Sequence, residues 1–104
     1  MTTESTPPTG LEILQLARDG VLPPPGIAVL FDMSMDVLEF GHVAFSFEAN
    51  ERVHNPMGTV HGGAIASLAD SALACAVLST LDAGVGCTSL DLNLHFVKSV
   101  PRGR

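Results

Sequence analysis

The chain has 104 residues, 46 % of them hydrophobic and only 15 % charged, with a net charge of −6. That length suits one domain, and the acidity argues against nucleic-acid binding, which needs a basic footprint. So few charges on so small a domain imply an apolar surface that another chain covers, and no basic segment followed by an apolar run marks a secretion signal.

In chain order, Met1 to Thr9 ("MTTESTPPT") is polar and proline-containing. It reads as a disordered tail, which places the domain proper at residues 10–104. Leu11, Leu14, Leu16 and Ala17 recur at helical spacing and Gly20 is a stop, predicting a short amphipathic helix over Leu11 to Asp19. Pro23 to Pro25 force an extended connection. Val29 to Phe40 is a strand candidate with mixed alternation, and Gly41 marks a turn. His42 to Glu48 reads as a half-buried strand with Val43, Phe45 and Phe47 on one face. Asn55-Pro56 signals a loop. A helix follows from Val60 to Leu81 and stops at "DAGVG". In "CTSLDLNLHFVKSV", Leu90, Leu92, Leu94 and Phe96 alternate with Asp91, Asn93 and His95, predicting a long strand that Pro101 ends. No internal repeat and no domain boundary is visible.

The central helix is apolar nearly all round and rich in small residues, Ala64, Ala66, Ala69, Ala72, Ala74 and Ala76 among them. Such a helix is expected to be buried on most sides, and a sheet wrapped around it would account for both features. Its length approaches a bilayer span. Asp70 at its centre would cost roughly 2.5–3.5 kcal/mol there, so a core helix is the reading and no membrane partner is expected. Gly58, Gly62 and Gly63 cluster at its start although glycine is a poor helix former. The first N–H groups of a helix lack internal partners and sit at the positive end of its dipole, so an opened start can hold an anionic oxygen. The same glycines can instead serve only a tight turn. Asp70 belongs either to a solvent-facing strip with Ser67 and Ser71, or to a half-buried setting suited to a general base or nucleophile. Pattern alone leaves both questions open.

His42, His54, His61 and His95 lack the tight spacing of metal ligands, so no metal site is expected. Cys75 and Cys87 form no disulfide framework and read as reduced thiols of a cytosolic protein. Cys75, deep in an apolar helix, is expected to be inert.

The stretch "NPMGTVHGGAIASLADSA" resembles the hotdog-fold acyl-CoA thioesterases of the phenylacetate-degradation (PaaI-type) branch. The likeness rests on Asn55, Gly58, His61, Gly62, Gly63 and Asp70 at the family's spacing. "TSLDLNLHFVKSVPRG" resembles the strand after that family's helix, and the likeness covers most of Leu11 to Gly103. It implies an α+β hotdog fold, a curved antiparallel sheet wrapped around one long central helix. The family continues past Gly103 with further strands, so the domain is expected to be C-terminally incomplete.

The resemblance implies hydrolysis of an aryl- or medium-chain acyl-CoA to free acid and CoA, with no cofactor beyond the CoA of the substrate. It implies that the Gly62 N–H is the oxyanion hole, that Asn55 polarises the carbonyl or holds the substrate, and that His61 shapes the helix start. Asp70 would be general base or nucleophile. Ser89, beside Thr88, matches a residue that positions water in some relatives. Others place Ser or Thr one turn after the acid; Ala74 rules that variant out here. Gly63, Thr88, Lys98 and Arg102 are the expected substrate contacts. Lys98 and Arg102, with Arg104, would meet the CoA phosphates, unless they are ordinary surface charges. The competing reading is a non-catalytic acyl-CoA-binding or interaction domain of the same fold. Asp70 speaks against it and the early end of the chain for it. The residue pairing of hotdog dehydratases is not seen.

Gly62 and Asp70 are eight residues apart, about 12 Å along a helix axis. One carbonyl carbon cannot meet both. A site that uses both must join Gly62 of one chain to Asp70 of another, as two antiparallel central helices about a two-fold axis would. A homodimer, or a homotetramer of such pairs, is the expected assembly.

Overall fold

A computed structural model describes residues 6–102. The first five residues of the expected tail lie outside them, as do Gly103 and Arg104. Thr9, assigned to the tail by composition, instead begins the fold. Its Oγ1 accepts from the Glu12 N–H at 3.2 Å while Glu12 Oε1 accepts from the Thr9 N–H at 2.8 Å. This reciprocal cap starts α1, Gly10–Arg18. Its buried Leu14 faces the core, and the Gly10 N–H donates to Leu81 O at 3.1 Å. The approach is so close that a Cβ on Gly10 would lie 1.8 Å from the Leu78 carbonyl oxygen.

The expected strand from Val29 is corrected. Val29 and Leu30 belong to a short helix, α2, Gly26–Leu30, entered from an extended Pro25. Apolar runs this short do not distinguish helix from strand by periodicity. Asp32, at φ 53°, then turns the chain in the left-handed region that short polar side chains tolerate. The strand β1 begins only at Ser34 and ends at Glu39. It pairs antiparallel with β2, His42–Ser46, across a two-residue loop with Gly41 at φ 73°. The register runs from Ser34 opposite Ser46 to Glu39 opposite His42, with an irregularity between Met35 and Val37. Asp36 is the extra, exposed residue there. A bulge shifts the phase of alternation, so Met35 and Leu38 both turn inward. That is the physical source of the mixed pattern in the sequence.

After β2 the chain buries Phe47, Ala49 and Val53 against Val60 and Ala64, with Phe31, Met33, Ile65 and Leu68 packed around them. The Phe31 and Phe47 rings stack at 6.0 Å. Between them a 3-10 helix, Glu51–Val53, and a His54–Val60 bridge fold the loop back on itself. The long helix α3 is Gly62–Leu78. Ser79 ends it and is almost completely buried. Its Oγ donates to Ala76 O at 2.7 Å and accepts from the Gly41 N–H at 2.7 Å, tying the hairpin turn to the helix end.

Two further expectations change. Within one chain α3 is not enclosed: Ala64 is its buried residue, and Leu73 and Val77 are 59 % and 51 % exposed. The hairpin covers one side and leaves an apolar strip on another. Residues 87–100 keep their alternating sequence but form no strand among the described residues. A strand needs a ladder partner, and among the described residues the segment's backbone is tied to the rest of the chain from the Val60 N–H to Val100 O at 3.0 Å. Leu90 and Val97 are almost fully exposed as a result. No helix among the described residues is long and apolar enough to cross a membrane.

The Ser79 bridge is testable. Ser79→Ala removes the acceptor of the exposed Gly41 N–H and the tie between hairpin and helix end, and should cost about 0.5–1.5 kcal/mol, the net worth of one hydrogen bond. Urea unfolding measures this, with the exposed Thr80→Ala expected to change little.

Candidate functional site

The start of α3 is built by His61 and the two glycines. His61 is the N-cap, in extended conformation, and its Nδ1 accepts from the Gly63 N–H at 2.8 Å. A Cβ on Gly63 would stand 3.0 Å from that nitrogen, so the second glycine is what lets the imidazole close over the helix end. The His61 N–H is itself used, donating to Val53 O at 2.7 Å. The Ala64 and Ile65 N–H groups both reach His61 O. Among the described residues the Gly62 N–H is left without an acceptor.

Gly62 lines a cleft of about 430 Å³ with Asn55, Met57, Ile65, Phe96 and Lys98. The first glycine also has a steric role. A Cβ there would be 3.2 Å from the Phe96 ring, so Gly62 lets that ring lie across the helix start. Asn55 is held by its own loop: its Oδ1 accepts from the Met57 and Thr59 N–H groups at 3.0 and 3.2 Å, and its Nδ2 donates to Thr59 Oγ1 at 2.9 Å. One amide hydrogen remains for a ligand. Gly58, at φ 84°, completes this turn, which is a local role that accounts for it. Lys98, expected only near a phosphate, stands in the same cleft as Gly62, exposed and with no anionic partner among the described residues.

Asp70 is half-buried, two turns further along α3. Ser89 Oγ donates to its Oδ1 at 2.5 Å. The two line a second cleft of about 380 Å³ with Ser67, Asp91 and Leu92. Asp70 makes no ion pair among the described residues, and the Ser89 bond is the one hydrogen bond to its carboxylate found among them. Ser67 Oγ turns back to Gly63 O at 2.9 Å. Asp91 was not singled out by the sequence; it joins the cleft because it is two residues beyond Ser89.

The remaining expected contacts separate. Gly63 gives its N–H to His61 and lines, with His61 and Arg52, a third cleft distinct from that of Gly62. Thr88 lines a small hollow against Leu73 and Val77. Arg102 pairs with Glu51 at 3.5 Å, both side chains largely exposed, an arrangement of little energetic consequence. Arg104 lies outside the described residues. Cys75 is half-buried and Cys87 exposed, both free thiols. Burial, with the Cys87 thiol adding to it, pushes the Cys75 thiol above its ordinary range. It therefore carries little thiolate near neutral pH and is a poor nucleophile. No cluster of three metal-ligating side chains occurs among the described residues.

The amide half of the arrangement and the carboxylate half thus occupy different clefts of one chain. His61→Ala removes the acceptor for the Gly63 N–H and should cost about 0.5–2 kcal/mol, with much of it recovered in His61→Asn, whose short amide also caps well. Thermal unfolding of the two variants compares them directly.

The sequence model of the thioesterase superfamily matches residues 57–104, just under half of the chain. A protein from Ralstonia eutropha JMP134, described as a candidate thioesterase and phenylacetic acid degradation-related protein, has a similar crystal structure. The TM-score is 0.77 at 27 % identity, over 86 % of this chain and 69 % of that one. No curated protein matches the chain. The hairpin on one long helix is accordingly the hotdog thioesterase fold, and the superfamily match begins just before the α3 cap and runs through Asp70 and Ser89.

Proposed function

We propose that the chain is an acyl-CoA thioesterase of the phenylacetate-degradation type, with its active site completed by a second copy of itself. The observation that carries this reading is the unpartnered Gly62 N–H, eight residues before a carboxylate that holds Ser89 and no cation. These are the two parts that hydrolysis of a thioester requires: a donor for the oxygen that becomes anionic, and an acceptor for the proton of the attacking water. They lie about 12 Å apart along α3, so neither chain alone can bring both to one carbonyl. Two copies of α3 running antiparallel would set the Gly62 amide of one against Asp70 of the other, twice. The exposed Leu73 and Val77, and the unpaired segment of residues 87–100, supply apolar surface that such a partner covers.

In this reading the thioester oxygen rests on the Gly62 N–H, helped by the free Asn55 amide hydrogen. Asp70 takes a proton from a water as that water attacks the carbonyl carbon. The carbon–sulfur bond breaks as the tetrahedral species collapses, and the CoA thiolate leaves and takes up the proton. Ser89 fixes the orientation of the carboxylate through its short hydrogen bond. Asp70 attacking the carbonyl directly is the alternative for the same residue. Lys98, unpaired at the edge of the Gly62 cleft, is placed to attract the anionic CoA.

Asp70→Asn should reduce turnover of aryl- and medium-chain acyl-CoAs by about 10²–10⁴-fold, the usual worth of a positioned base, with the fold unchanged by circular dichroism. Release of free CoA thiol reads the reaction. Equal turnover by both proteins contradicts the assignment, and binding of acyl-CoA without any release would mark a binding domain instead.

A further inference from the structure

The cleft beside Gly63 is used by neither half of the proposed reaction. It holds about 330 Å³, at the small end of small-molecule sites. Its lining is divided. Phe31, Val53 and Ala64 form an apolar floor, and Arg52, His54 and His61 form a polar rim. The floor is fixed in place, because Val53 and Ala64 are buried in the core and the Phe31 ring is stacked on Phe47. Arg52 and His61 are exposed. No carboxylate lines the cleft among the described residues. In a chain with a net charge of −6, this is a local reversal of sign.

Two donors of the rim are unused. Arg52 makes no ion pair among the described residues, although Glu51 is its neighbour in sequence; Glu51 is paired with Arg102 at 3.5 Å. His61 Nδ1 accepts from the Gly63 N–H, so the neutral imidazole carries its hydrogen on Nε2, at the opposite edge of the ring. That hydrogen has no acceptor among the described residues. His54 differs. Its Nε2 donates to Ala49 O at 3.3 Å, which holds its ring as a wall.

The charge selects an anion and the floor narrows the class. A small inorganic anion would lose water against Phe31 and Val53 and gain no partner there. An anion with an apolar body buries that body on the floor and keeps its charge at the rim. A guanidinium also presents paired N–H groups that match the two oxygens of a carboxylate. We propose that this cleft binds a small organic acid, with its carboxylate on Arg52 and the His61 Nε2–H and its apolar body against Phe31, Val53 and Ala64. The site needs neither the Gly62 amide nor Asp70, so it stands apart from the hydrolytic reading.

Benzoate is the probe. Its titration into the folded chain, followed by amide and arginine side-chain NMR signals, should saturate, with the largest shifts at Arg52, His61 and Gly63. Benzamide has the shape without the charge, and acetate has the charge without the body. Each should bind at least about tenfold more weakly than benzoate, as should inorganic phosphate. Arg52→Gln should weaken benzoate at least about tenfold and leave benzamide unchanged, and Arg52→Lys should recover part of the loss. Circular dichroism checks that both variants keep the fold, as exposed positions allow. Benzoate that binds the wild-type chain and Arg52→Gln alike overturns the proposal. So does phosphate binding as tightly as benzoate, and so do shifts centred on Gly62 or Asp70 in place of Arg52. The readout involves no turnover, so its result is separate from the presence or absence of hydrolysis.

Discussion

The first turn of α3 has more N–H groups than acceptors, and the arrangement of the whole loop before it follows from how that excess is handled. His61 answers one of them by capping Gly63, and its own N–H is taken by Val53. The 3-10 helix and the His54–Val60 bridge hold Val53 where it can do so. What remains is the Gly62 amide, at the positive end of the helix dipole, with a phenylalanine ring across it and a lysine beside it. A cap on the second amide that leaves the first one free is a selective arrangement. Glycine at both positions is what permits it, one for the ring and one for the imidazole.

Parts of this were legible from the residues alone. The His-Gly-Gly start, the Gly41 turn and the approximate span of α3 carry local chemistry: a cap, a positive φ and an apolar period. The resemblance singled out Ser89 as a residue that positions water; its bond to Asp70, nineteen residues away, came only with the structure. Local pattern failed where a distant partner decides. Leu90 to Phe96 alternate as a strand does, yet alternation specifies a face and supplies no neighbour to bond. The bulge at Asp36 inverted the phase of β1 midway, so a period-two reading of the whole stretch from Val29 to Phe40 could not succeed. Asp32 in the left-handed region gave no clear signal before the structure showed it. Asn55 matched a catalytic position, and its side chain is also the brace of its own turn; sequence spacing does not separate those two tasks.

The apolar composition takes on a location in the fold. Part of it lines a pocket behind Asp70, between the hairpin and α1 and α2. Another part, Leu73 and Val77 on α3 with Leu90 and Val97 beyond it, faces outward from the single chain. One helix therefore separates an internal hydrophobic surface from an external one, and Asp70 stands at the boundary of the first.

A shared site requires the Gly62 amide of one chain to serve Asp70 of another, and mixing two inactive variants tests this directly. Gly62→Pro removes the free N–H at a position where proline suits the backbone, because it is the first residue of α3 and follows an extended His61, and the exposed Phe96 ring has only to shift by a few tenths of an ångström to admit it. Gly62→Pro and Asp70→Asn, each alone, should release little CoA from an acyl-CoA. Unfolded together and refolded as an equal mixture, they should recover about a quarter of wild-type turnover, since half of the randomly paired dimers then hold one intact site of two. Mixed dimers that form and remain as inactive as either parent would contradict the shared site.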